Sequence, residues 1–366
     1  MKKSIFCLLF AMALSSCVQD HTADIPINVV EEDKIYATLD SEDGRVELDK
    51  SLRMVWTKGD YLYVYGPETR KKYKFDGNTG DKSGTFTINT TYTPLSNAEL
   101  NRYYAAATPY TGGYGVNSGR LRLFSPSPGT STQKYDPISG TTNNVNIVFG
   151  ISDDGKNFSF KTIMGYLRIS LTGEKIVKSI ELFNNSGENI SGRYSFYVDK
   201  PETVYWYSSS NPQPTILLDC GDGVQLGDKP TDFYFTMKPM ALDKGVTIVV
   251  TFTDDTTFVQ STSKSITITR NTIHPMATLS TSNVVYQQIN ISCENRLFTM
   301  PTITGETSLS GYVDLGDGTT SLLNLFTSYE YTDDRSAHTI SIKMRNATKF
   351  AMNGCEGVTE IDLSNF

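Results

Sequence analysis

Short runs of β-branched and aromatic residues, cut off every few positions by glycine, proline, asparagine or aspartate, recur along nearly the whole chain. They constrain its fold more than any other feature. "YLYVYG" (residues 61–66), "LRISLTG" (167–173), "YFTMKP" (234–239), "VTIVVTFTDD" (246–255) and "SITITR" (265–270) are of this kind. Side chains branched at Cβ or carrying rings fit a pleated, half-buried surface, and the flanking residues permit tight reversals. Asp-Gly pairs at 43–44, 154–155, 222–223 and 317–318 predict turns, because glycine reaches positive φ without a steric clash. No long segment keeps a 3.6-residue apolar period, although residues 94–104 are expected to form a short helix. The Gly-, Ser- and Pro-rich stretch "TPYTGGYGVNSGRLRLFSPSPGTSTQ" (108–133) reads as a loop. Strands at this spacing predict an all-β chain built of β-sandwiches.

The N-terminus is different in kind. Lys2 and Lys3 precede an apolar run over residues 5–14, which at about ten residues is half the roughly twenty that a bilayer span requires. The run ends in Leu14-Ser15-Ser16-Cys17, which resembles the bacterial lipobox, where the cysteine is acylated and becomes the new N-terminus. Three acyl chains would anchor the protein stably. The alternative is an ordinary signal peptide whose cleavage leaves a cysteine nearby. Val18 is not the aspartate of an inner-membrane retention signal, so an outer membrane is the expected destination. Residues 1–16 are accordingly read as a lipoprotein signal peptide and 17–32 as a lipidated tether. Three blocks follow, at 33–152, 153–284 and 285–366.

Composition narrows the function classes. A net charge of −7 at pH 7 leaves no basic face to release counterions, so nucleic acid is excluded as a partner. With Cys7 in the leader and Cys17 acylated, Cys220, Cys293 and Cys355 remain, and an odd, widely spaced trio is no disulfide framework. No G-x-S-x-G elbow, H-E-x-x-H helix, Cys-x-x-Cys pair or phosphate loop occurs, and neither a catalytic role nor a cofactor is expected. Asp153-Asp154 and Asp254-Asp255 read as solvated turn acids, since neighbours on a strand point to opposite faces. Asp314, Asp317, Asp333 and Asp334 admit a calcium reading, but they lack the alternating ligands and distal glutamate of an EF-hand loop, so structural turns are expected and no metal. Trp56 reads as a core aromatic and Asp60 as a turn residue. Tyrosines are numerous, and about half are expected to line cores and edges; Tyr110, Tyr114, Trp206 and Tyr207 are the candidates for an adhesive surface.

"MVWTKGDYLYVYG" (54–66), followed by "KYKFDGNTGDKSGTFT" (72–87), resembles the N-terminal domain of the fimbrillin family, the subunits and relatives of lipoprotein-derived pili in Bacteroidales. "FSFKTIMGYLRISLTG" with "VKSIELFNNSGENISGRYSF" (158–196) is similar to the opening of that family's second domain. "DFYFTMKPMALDKGVTIVVTFTDD" with "KSITITRNTIHPM" (232–276) is similar to its close. The resemblance covers roughly residues 33–280. It implies two tandem transthyretin-like β-sandwiches and a role as a pilus component or surface adhesin at the outer membrane. It further implies that subunits polymerise when a neighbour's strand fills a groove left by proteolytic removal of the first strand, a form of β-augmentation. Residues 35–54 would then be the removable strand and loop. Arg45 is the cleavage candidate, with Lys50 and Arg53 competing, and a merely solvated hairpin Arg45 is the alternative. "SGYVDLGDGTTSLLNLFTSYEYTDDRSAHTISIKM" (310–344) resembles PKD-like surface domains, and "VTEIDLSNF" (358–366) the start of a leucine-rich segment. Because residues 278–282 lead directly into that third block, the donor segment would be obstructed, which suits a tip or accessory adhesin. Expected partners are other pilus subunits by strand complementation, a protein or glycan on a host or bacterial surface, and the membrane through the lipid. A carbohydrate-binding lipoprotein of a glycan-uptake system and a membrane-retained pilus anchor are the alternatives.

Overall fold

Alternation sorts the side chains of the first block. In β1 (Lys34–Leu39), Ile35, Ala37 and Leu39 are buried while Lys34 and Tyr36 are exposed. The computed structural model describes residues 33–39, 55–93, 95, 98–107, 113–125, 129–135, 147–207, 211–282, 286–332 and 337–366. Every element among these residues is a strand. The chain divides into Met1–Asp33 and a unit Lys34–Phe366, which holds every strand found among the described residues.

Strand β1 joins β2 (Tyr61–Tyr65), β3 (Arg70–Phe75), β4 (Ser83–Tyr92), β5 (Tyr103–Ala107), β9 (Val148–Ser152) and β10 (Asn157–Thr162) in a closed barrel, ordered β1-β10-β9-β5-β2-β3-β4. β1 is antiparallel to β4 and parallel to β10, so it is the strand that closes the ring. The interior holds Trp56, packed edge-on against Phe86 at 5.0 Å and Phe160 at 5.5 Å. Trp56 is therefore a core residue, and Asp60 closes a turn by accepting from the Thr57 amide at 2.8 Å. The seam expected at 152/153 falls inside this barrel, at the hairpin between β9 and β10. No helix is present among the described residues of the expected helix 94–104, which are 95 and 98–104: Tyr103 and Tyr104 open β5, because pairing with β2 and β9 outweighs a weak local preference.

The stretch read as a loop also carries strands. β6 (Tyr114–Asn117) and β7 (Arg120–Phe124) form a hairpin whose two turn residues, Ser118 and Gly119, both have positive φ. This is the two-residue reversal that matches strand twist. The hairpin adds to β13 (Tyr194–Tyr197) and β14 (Lys200–Trp206) in a four-stranded sheet, β14-β13-β7-β6. One face of that sheet, with Leu121, Leu123, Phe196 and Val204, packs on Tyr65, Tyr104, Ala106 and Phe149 of the barrel.

The second block is a sandwich. One layer holds β16 (Thr231–Met237), β11 (Gly165–Thr172) and β21 (Ile273–Pro275), with β22 (Leu279–Ser280) also along β11. The other is ordered β19 (Thr257–Thr262), β18 (Val246–Phe252), β12 (Ile176–Asn184), β15 (Thr215–Gln225) and β8 (Thr132–Lys134). Between them lies the largest apolar core, including Leu167, Ile180, Ile216, Phe235 and Ile248. β17 (Met240–Leu242) pairs with β20 (Ile266–Ile268) beside it. The turn expected at 222–223 is a bulge inside β15, where residues 219–224 face Val177 and Ser179 and the positive φ of Gly221 and Gly223 takes up the extra chain.

The third block is a sheet ordered β26 (Thr320–Leu322), β25 (Thr302–Asp314), β28 (His338–Ala351), β23 (Gln287–Cys293) and β29 (Val358–Asn365). β24 (Leu297–Thr299) and β27 (Ser328–Glu330) pair across it, over a core of Ile289, Phe298, Val313, Tyr331 and Ile340.

Candidate functional site

The face of the β14-β13-β7-β6 sheet that points away from the barrel carries rings and guanidinium groups. Because Leu121 and Leu123 turn inward, Arg120, Arg122 and Phe124 turn outward from β7. Register sets Tyr197 against Arg122, and Ser195 against both Phe124 and Tyr205, so these residues share the outward face. Arg120 binds both oxygens of Asp199 at 2.9 Å and lies 4.1 Å from the centre of the Tyr197 ring. That bidentate bond holds the Asp199 carboxyl below its ordinary range and the guanidinium above its own. Arg122 lies 5.5 Å from Tyr197, 5.6 Å from Phe124 and 5.7 Å from Tyr205, with its Nε buried and without a hydrogen-bond partner. Ser195 is fully buried on the same face, and its hydroxyl is also unpartnered. Tyr205 is 41% exposed, which leaves a ring surface open to a ligand.

Among the expected adhesive residues, Tyr207 belongs to this platform, its ring 5.6 Å from Phe124 and 5.3 Å from the Arg193 guanidinium. Tyr114 is exposed but sits apart, where its hydroxyl accepts from Arg70 at 2.6 Å and its ring meets Tyr65 at 5.8 Å. Trp206 is half-buried against the barrel side, donates to the Asn189 carbonyl at 3.2 Å and lies under the Lys238 ammonium, so it serves the packing. Tyr110, Cys17, Arg45, Lys50 and Arg53 lie outside the described residues. Sequence reasoning missed Arg120, Arg122, Phe124, Tyr197 and Tyr205. The period-two alternation of "RLRLF" (120–124) was the available signal, and the surrounding glycines and serines concealed it.

The acidic pairs act locally. Asp154 accepts from the Ser152 hydroxyl and from the Lys156 and Asn157 amides, which hold its carboxyl far below the usual range. Asp254 is drawn down to about 2 by Thr256 and Lys175. Asp314 accepts from the Gly316 amide, and Asp317 from the Thr319 amide and the Tyr329 hydroxyl, so both shape the turn between β25 and β26. Asp333 and Asp334 lie outside the described residues. Among the described residues no group of three or more His, Cys, Asp or Glu is placed to hold a metal ion.

A third locus joins the second and third blocks. Phe183, Val249 and Val259 of β12, β18 and β19 pack on Tyr312 and Leu322 of β25 and β26. Glu181 of β12 is half-buried at this seam, and the Thr320 hydroxyl donates to its oxygens at 3.0 and 3.1 Å. Desolvation pushes its carboxyl up to about 7 against that hydrogen bond, with Asp314 adding repulsion.

No protein-family model matches the sequence, and no curated protein matches it. Solved structures do. A candidate cell adhesion protein of Bacteroides ovatus is similar over 69% of this chain and 92% of its own, at 13% identity and a TM-score of 0.44. One from Bacteroides uniformis is similar over 69% and 95%, at 14% identity and 0.42. The tip fimbrial protein Mfa3 of Porphyromonas gingivalis, with a C-terminal truncation, is similar over 68% and 96%, at 12% identity and 0.31. These neighbours are named as cell-adhesion and fimbrial proteins.

Proposed function

We propose that this chain is a cell-surface fimbrial subunit that acts by binding and assembly rather than by catalysis, carried to the outer membrane by a lipid on Cys17. The observation that supports it is β1. This strand closes the barrel between β4 and β10, and buries Ile35, Ala37 and Leu39 among Trp56, Phe75, Phe86 and Phe160. Its loss would leave two unpaired strand edges over a row of apolar pockets, which is the requirement for accepting a strand from a neighbour. The parallel pairing with β10 is compatible with this role, because the closing strand is a separate segment rather than half of a tight hairpin.

The exit of the second block supports a tip or accessory position. β21 and β22 lie along β11 in their own sandwich, and the third block, packed on β12, β18 and β19, follows immediately. Such a subunit accepts a strand and does not donate one. Arg-specific digestion of the purified mature protein tests the assembly reading. Cleavage at Arg45, release of β1 and growth of polymers with a fimbrial partner subunit are expected; cleavage there without any gain in association would overturn it. The alternative of a membrane-retained anchor predicts that β1 stays resistant to the protease.

A further inference from the structure

Arg122 is a guanidinium on the outer sheet face that no carboxylate meets among the described residues. Its neighbour Arg120 is matched bidentately by Asp199, and Arg102 elsewhere by Asp153. No ion pair reaches Arg122 among the described residues, and three rings frame it instead. An unsatisfied buried N–H costs free energy, and here it sits on the same face as a second unsatisfied group, the hydroxyl of fully buried Ser195. A planar fork of donors matches a carboxylate, and the rings beside it offer faces against which apolar C–H surface stacks. β7 and β13 are interior strands of their sheet, with backbone groups committed to neighbours on both sides, so a peptide cannot add to them as a strand. Recognition at this face is by side chains alone.

We propose that this platform binds a carboxylate-bearing sugar residue, of the uronic or sialic type, in a surface glycan. Arg122 pairs with the carboxylate, Tyr205 and Tyr197 stack on the pyranose ring, and Ser195 offers a further hydrogen bond. Arg120 is held by Asp199 as a wall of the site. This goes beyond the assembly reading and does not depend on it, since the unpolymerised chain carries the complete platform.

The test measures affinity of the purified full-length chain for polygalacturonate, for polysialic acid and for fully methyl-esterified polygalacturonate. The ester keeps the sugar ring and removes the anion. Binding to at least one anionic polymer is expected, about ten- to a hundredfold tighter than to the ester, which is the range of one charge-assisted pair. Which polymer binds identifies the source of the sugar. Arg122→Gln should fall to the level of the ester and Arg122→Lys should recover part of the affinity, whereas Lys349→Gln, which removes the same charge from the third block, should change nothing. Tyr205→Ala should weaken binding about tenfold, through lost stacking. Melting curves establish that each variant is folded, and the lysine variant serves if the glutamine variant is not. Equal affinity for acid and ester, no binding to either anionic polymer, or full binding by a folded Arg122→Gln variant would overturn the proposal. Such a result beside normal strand-exchange polymerisation would remove the ligand and leave the assembly reading standing.

Discussion

Glu181 shows how one carboxyl can report on the seam between two blocks. Its folded value of about 7 lies above the ordinary 4.5, so the folded state holds the proton more tightly than the unfolded chain does. Stability from this residue is therefore fully present below about pH 4.5 and is lost as pH rises through about 7, with a total of roughly 3 kcal/mol. Chemical denaturation between pH 5 and 8 should show stability falling over that window, and Glu181→Gln should flatten the slope. An unchanged slope in the variant would place the titrating group elsewhere. At the same scale, Cys220 is buried and its thiol is pushed up to about 12, which makes it inert packing rather than a reactive centre.

At the scale of the element, β1 is short but decisive. Ile35 and Leu39 are buried against the barrel interior, and two such side chains contribute about 4 kcal/mol together, before the ladder on both edges is counted. A chain that lacks residues 1–54 should melt well below the intact one. A synthetic peptide of sequence KIYATL should restore much of the loss, and the same peptide with Ile35→Asp should not. Identical melting of the truncated and intact chains would show that the barrel does not need its closing strand. The β6–β7 hairpin carries the complementary lesson. Its positive-φ turn at Ser118 and Gly119 is local chemistry, yet the hairpin becomes useful only because β13, more than seventy residues later, pairs with β7.

For the whole molecule, the order of blocks bears on the tip or accessory position proposed above. The seam of Phe183, Val249, Val259, Tyr312 and Leu322 keeps the third block on the β19-β18-β12-β15-β8 layer of the second, while β21 and β22 lie along β11 in the other layer. An antibody to a tag in residues 285–366 should therefore label fibre ends in surface imaging. Regular labelling along the shaft would defeat the tip position, and labelling confined to the fibre base would favour the anchor. β29 adds a further constraint, because this edge strand leaves Ile361 and Leu363 exposed and pairs with β23 on one side.

What the sequence determined by itself is the local part. Branched and aromatic runs such as residues 61–65 and 246–252 became strands, and Asp154-Gly155 and Asp317-Gly318 became reversals, because Cβ sterics and glycine's freedom act within a few residues. Trp56 was legible as core because it stands in a strand-like run rather than a loop. Tertiary structure alone decided that β10 closes the first barrel and not the second block, that Asp222-Gly223 bulges instead of turning, and that "RLRLF" is a strand with arginines outward. Each of these depends on a partner far away in the chain, whose pairing offsets the entropy of closing a long loop by burying one face of both strands. The aromatic–arginine platform belongs to that second class: its rings come from β7, β13 and β14, and no window of sequence contains them all.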